Sequence, residues 1–257
     1  MKKNVIIYVT CFVCITTAFS IPQGVRDKAY EFKGYDELIA NITPLGYQNR
    51  TYYWIEYSKT LVYSGSLLVD DDLHPVTDNE TLIAFVAADI IHKNFGRGGV
   101  VQLRDFSRYY NSLADNIRDP SLGLVVNDSR EISHLLSESS NYLEGSVDSF
   151  SPDDAGSYLR MESMLIEKMK EAYRNVKGGG NSSIVSNYRH SLANIYNSIT
   201  LNRESLLESC GFITKNILSR VSSREEGSET EMILIVAAVL LLVLVSFIQR
   251  SKRKSAN

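Results

Sequence analysis

Residues 151–176 read SPDDAGSYLRMESMLIEKMKEAYRNV, and this stretch decides the fold class. Ser151 is placed to accept from the first free amides of a helix. Pro152 suits the first helical position, where no amide is needed, and Asp153 and Asp154 meet the positive helix end. Tyr158, Met161, Leu165, Met169, Ala172 and Val176 then recur at steps of three and four, which marks one apolar helix face. Gly178, Gly179 and Gly180 end it. A second helix is predicted over 184–221, with Tyr188, Leu192, Ile195, Ile199, Leu206, Ile213 and Ile217 along its seam. Position 202 of that seam is Asn, and the register shifts near Cys210 in the manner of a stutter. Two helices about a glycine loop make an antiparallel hairpin. The heptad-like seam over 184–221 also offers a surface for self-association.

Upstream the chain changes character. Residues 21–47 give no clear period. Residues 51–59 (TYYWIEYSK) and 60–69 (TLVYSGSLLV) are rich in aromatic and β-branched residues and are predicted strands, with Gly65 a bend or bulge. Asp70, Asp71 and Asp72 end this β part. Thr77 and Glu80 have capping-box spacing for a helix to about Asn94, closed by Gly96. Residues 100–103 (VVQL) are expected to form a short strand and 106–117 a helix, stopped by Pro120. Asn127, Asp128 and Ser129 are expected to cap a helix over 130–143. The fold class is therefore α+β and mainly α. A small β part (21–76) precedes a helical part (77–150) and a hairpin or stalk (151–221).

The ends of the chain carry targeting patterns. Lys2 and Lys3 precede an apolar run too short to span, and Ala18 and Ser20 stand at positions −3 and −1 of a cut before Ile21, so residues 1–20 read as a secretory signal peptide. Residues 232–248 are apolar except for Ser246 and are followed by Arg250, Lys252, Arg253 and Lys254. Seventeen helical residues rise about 25 Å, near the lower limit for a transmembrane helix. Basic residues stay cytosolic, so the expected topology is type I and single-pass. Residues 21–221 then face the exterior or a lumen, 222–231 form a polar juxtamembrane linker, and 249–257 a basic cytosolic tail. That topology serves a plasma membrane, a viral envelope or a secretory organelle alike.

Charge and cysteine content narrow the functions. The chain has 27 Lys+Arg and 30 Asp+Glu; six of the basic residues and none of the acidic ones lie in the end segments, so the middle holds 21 against 30, a net −9. A domain this acidic is a poor nucleic-acid binder. Of the three cysteines, Cys11 and Cys14 fall in the signal peptide, which leaves Cys210. One cysteine cannot make an internal disulfide, so Cys210 is either a small buried side chain or an interchain bridge across a parallel dimer. Small disulfide-stapled receptor modules are not expected.

Five N-x-[ST] sequons, at Asn41, Asn49, Asn79, Asn127 and Asn181, are candidate glycosylation sites. Asp70, Asp71, Asp72 and His74 lack calcium-loop spacing, and consecutive side chains cannot all converge on one ion. No metal or cofactor is assigned to them. The run Phe95-Gly96-Arg97-Gly98-Gly99 follows a predicted helix and precedes a predicted strand, the wrong order for a phosphate loop. On a strand, Tyr52 and Trp54 share one face and Tyr53 and Tyr57 the other. One face is expected in the core and the other exposed as partner-contact surface. No hydrolase or nucleotide-binding motif occurs in 21–231.

This layout of signal, β part, luminal helices, one span and a short basic tail resembles the single-pass accessory subunits of the vacuolar proton pump. It also resembles small viral envelope glycoproteins. The likeness is one of arrangement and carries over no site residues. The expected function is non-enzymatic: a membrane glycoprotein whose ectodomain binds a protein partner or surface ligand in adhesion, as a receptor or in entry. The alternatives are a luminal accessory or assembly subunit of a larger membrane complex and a membrane-anchored hydrolase.

Overall fold

The computed structural model describes residues 21–176 and 183–254, with side chains described as far as residue 224. A short helix, α1 (Gln23–Glu31), leads into a three-stranded antiparallel sheet in the order β1 (Leu38–Tyr47), β2 (Arg50–Lys59), β3 (Val62–Asp70). Five helices follow: α2 (Asn79–Asn94), α3 (Gly98–Asn116), α4 (Gly123–Asp148), α5 (Pro152–Val176) and α6 (Ser183–Lys254). The α+β, mainly helical class is as expected from sequence.

Two-residue turns close both hairpins of the sheet. Gln48 and Asn49 join β1 to β2 at φ 48° and 63°, and Thr60 and Leu61 join β2 to β3 at φ 47° and 71°. Positive φ at both central positions gives the turn whose twist matches the strands. Gly65, at φ 150°, lies at the register shift of β3 against Tyr57 and Ser58, the predicted bulge. Pro44 sits in β1, an edge strand, where a missing N–H is tolerated.

Each face of the sheet has its own core. Tyr52, Trp54 and Leu68 pack toward the helices, where Phe85 of α2 lies 5.2 Å from Tyr52 and stacks on Trp54 at 6.4 Å, ring centre to ring centre. Ile55, Tyr57, Leu67 and Val69 pack on Val25, Ala29 and Phe32, with Val221 of α6 closing the layer. The Tyr57 hydroxyl donates to the Ala29 carbonyl at 3.0 Å. The predicted exposed tyrosine face is thus covered: Tyr52, Trp54 and Tyr57 are buried and Tyr53 is half-buried. The cover is α1, through its buried Val25 and Ala29, together with Phe32 at its C-cap.

Three further expectations change. Residues 100–103 are helical within α3, because Val100, Leu103, Tyr110 and Ala114 continue one buried helical stripe. Packing overrides the strand preference of two valines. Helix α4 begins at Gly123, after a 3-10 turn capped by Asp119, so residues 127–129 lie inside it and Asp128 and Ser129 are buried. Helix α2 is capped by Asp78, whose Oδ2 accepts from the Thr81 amide at 2.8 Å, and not by Thr77. Ser151 caps α5 as predicted, accepting from the Asp154 amide at 3.3 Å.

Helices α5 and α6 are antiparallel. Arg189 Nε donates to the Val176 carbonyl at 2.9 Å, and Arg203 Nη1 to the Leu159 carbonyl at 2.7 Å. The seam of α6 is buried at Val185, Tyr188, Leu192, Ile195, Ile199, Leu206, Cys210, Thr214, Ile217 and Val221. It is spent inside the chain, against α5, α2 and the sheet, so that face is not free for a coiled-coil dimer. Helix α6 also runs on unbroken through 222–231, where a linker was expected.

Candidate functional site

Midway along α6, Arg220 locks the helix to the sheet. Its Nη1 donates to Glu37 Oε2 at 2.7 Å and to the Phe32 carbonyl at 3.0 Å, and its Nη2 donates to Glu37 Oε1 at 2.9 Å. The guanidinium stacks 4.2 Å above the Tyr57 ring. Gly65 makes room for it, since a Cβ there would fall 2.8 Å from Nη2. Glu37 also accepts from the Gly34 amide at 2.8 Å. The Arg220 hydrogen bond holds the Glu37 carboxyl down to about 2 despite burial. A polar cleft of about 630 Å³ lies beside the pair, with Lys33, Ser64, Ser219 and Arg224 on its walls. Both charges are already satisfied by each other, so the constellation acts as a lock between elements.

A second buried group lies between α5 and α6. The Tyr158 hydroxyl donates to Glu162 Oε1, and Arg203 Nη1 stands 3.6 Å from Glu162 Oε2. Burial pushes the Glu162 carboxyl up to about 7, against the opposing pull of Tyr158 and Arg203. A carboxyl near neutrality suits general acid–base work. Glu162 is only 1% exposed, however, and the neighbouring 550 Å³ cleft is walled by Tyr47, Gly156, Arg160 and Arg203 without it. No reactant reaches it there.

Asp70, Asp72 and His74 do converge, with one ligand atom from each within 4.8 Å of the others. Arg50 enters the same space, donating to Asp71 at 2.6 Å and to Asp72 at 3.2 Å. Asp70 Oδ1 accepts from the amides of Asp72 and His74. A turn closed by an arginine accounts for the triplet.

An open apolar groove lies on the α5–α6 hairpin. Met169 and Leu192 form its buried floor, with Tyr173 and Tyr196 on its walls, and its volume is about 530 Å³. Lys170, Arg174 and Glu167 stand at its rim, Lys170 paired to Glu167 at 2.7 Å.

The remaining sequence-predicted residues are dispersed. Cys210 is a free thiol, fully buried in the core shared by α6 and its neighbours, and burial pushes it up to about 12. Its burial fits the small buried side chain of the two alternatives. Asn41 is exposed on β1 and donates to Thr43 at 2.9 Å. Asn49 is exposed in the β1–β2 turn, Asn79 begins α2, and Asn127 is exposed on α4. Asn181 and the glycines 178–180 lie outside the described residues, as do residues 1–20, where a signal peptide was expected, and the side chains of 232–248. Among the described residues no helix is long and apolar enough to cross a membrane. The loop 95–99 does open a helix, α3, contrary to expectation, but Arg97 at its N-cap makes no side-chain cap. Sequence reading missed Glu37, Glu162, Arg203 and Arg220; partners as far apart as 37 and 220 leave no local pattern. No protein-family model, no curated protein and no solved structure matches the chain.

Proposed function

We propose that the chain is a type I, single-pass membrane glycoprotein whose folded ectodomain binds a protein partner without catalysing a reaction. One observation carries the reading: α6 is a single helix from Ser183 to Lys254. The rod that holds the bundle and the sheet therefore continues into the apolar run 232–248 and the basic cluster after it. The α5–α6 groove is the partner site. Its apolar floor, tyrosine walls and charged rim suit an amphipathic helix laid along it.

Topology is tested on the full chain with a C-terminal tag, made in sealed microsomes. The expected result is resistance to alkaline carbonate extraction, protease trimming of the tail alone, and a mobility shift on removal of N-glycans. Release by carbonate overturns the anchor. A photo-crosslinking residue at Tyr173 or Tyr196 is expected to give one adduct of discrete mass in the native membrane, absent when the residue replaces exposed Glu204. Equal labelling at all three positions overturns the groove.

A further inference from the structure

The β2–β3 hairpin points along α6 toward the apolar run 232–248. Gly156 lies one turn before Leu159 on α5, and a Cβ on it would sit 3.8 Å from the Tyr47 hydroxyl. Since Leu159 meets Arg203 and the helices are antiparallel, Tyr47 is level with about residue 206 of α6. Tyr47 pairs with Arg50, and seven residues further along β2 Tyr57 lies under Arg220. Those seven strand residues rise about 23 Å, and the fourteen helical residues to Arg220 about 21 Å. Strand and helix therefore run side by side in one direction. Continuing β2 past Tyr57 carries Leu61 about 10 Å further, level with roughly residue 227 of α6. The apolar run starts five residues on, about 8 Å away. The headgroup layer of a bilayer is about 5–8 Å deep on each side, so the tip arrives at it.

The tip has a composition suited to that layer. Leu61 is 97% exposed, and Val62, Leu38 and Tyr35 are exposed beside it. Lys59 pairs with Asp36 at 2.9 Å, which ties the loop carrying Tyr35 to the hairpin. Aliphatic, tyrosine and lysine side chains together are what membrane interfaces hold. The turn itself breaks a local rule. Both its positions take the left-handed conformation, where glycine or asparagine is favoured, and Thr60 and Leu61 hold them at φ 47° and 71°. The turn at the other end of β2 follows the preference at its second position only, with Asn49 after Gln48. Leu61 faces solvent, and strain kept there against local preference points to a contact outside the chain.

We propose that this tip is a second membrane contact, with Leu61 and Val62 seated among lipid headgroups of the leaflet on the ectodomain side. The proposal rests on the reading of 232–248 as a span. Three full-length variants test it in phosphatidylcholine vesicles with and without bromine on the acyl chains: Leu61→Trp, Gln48→Trp and Leu241→Trp. Buried Trp54 supplies the unquenched background and reports folding. The expected result is a blue-shifted emission and roughly twofold bromine quenching of the light added by Leu61→Trp, strong quenching for Leu241→Trp, and none for Gln48→Trp. Quenching for Leu241→Trp without Leu61→Trp overturns the tip contact and leaves the span standing. No quenching for either overturns both. Equal quenching of Gln48→Trp and Leu61→Trp also overturns the contact, because the ectodomain then meets lipid without using its tip.

Discussion

Glu162 and Glu37 are both buried, yet they respond to pH in opposite ways. The Glu162 carboxyl is raised to about 7, chiefly by burial. Below about pH 4.5 it is protonated in the folded and unfolded chain alike. Between 4.5 and 7 the unfolded chain releases the proton and the folded chain keeps it, so stability falls by on the order of 3 kcal/mol and then levels. Glu37 is held down to about 2 by Arg220. Its contribution is complete above pH 4.5 and is lost as pH drops toward 2. Thermal unfolding of Glu162→Gln, followed by circular dichroism, should lack the decline that the parent shows from pH 5 to 7 and keep the acid limb. Leu61 gives a second expectation. Glycine relieves its left-handed strain and costs some unfolded-state entropy, so Leu61→Gly should raise stability by about 0.5–1 kcal/mol in detergent denaturation. The same substitution should weaken contact with lipid.

The elements differ in how plainly the sequence announces them. Helix α5 is legible because its cap, its apolar period and its stop are all local, and β2 and β3 are legible from their aromatic and β-branched content. Helix α1 is not, since Val25, Ala29 and Phe32 keep helical spacing over only two turns, with no side-chain cap to mark the start. Strand β1 carries Asn41, Pro44 and Gly46 and is an edge, so no alternation survives. The seam of α6 was readable, but not which surface would cover it: a heptad pattern looks the same whether a partner chain or the chain's own α5 fills it. Glu37 and Arg220 meet only because the whole fold brings them together. Arg220→Met leaves Glu37 buried without its cation and should cost about 3 kcal/mol in urea denaturation. Amide exchange in α1 should quicken with it. Adding Glu37→Leu should recover most of the loss, because an apolar pair of similar volume needs no desolvated charge.

At the scale of the molecule, the sequence indicated a domain leading into an apolar run, and the structure joins them in one rod without a hinge. Distance along that rod is therefore adjustable by residue count. Seven helix-forming residues inserted after Ser223 should lift the ectodomain about 10 Å with little change in facing. Bromine quenching of Leu61→Trp should vanish in that background while Leu241→Trp stays quenched. The lack of a hinge has a rotational consequence as well. Each residue of an α-helix turns the chain by about 100°, so every side of the segment 232–248 is indexed to one compass bearing of the ectodomain. On the proposed topology, a neighbouring helix that grips one side of that segment also chooses the azimuth at which the tyrosine-walled groove looks out. A single-residue deletion between Ser223 and Met232 would swing that groove through more than a quarter circle while hardly altering its height, so orientation and elevation answer to different edits of the same helix.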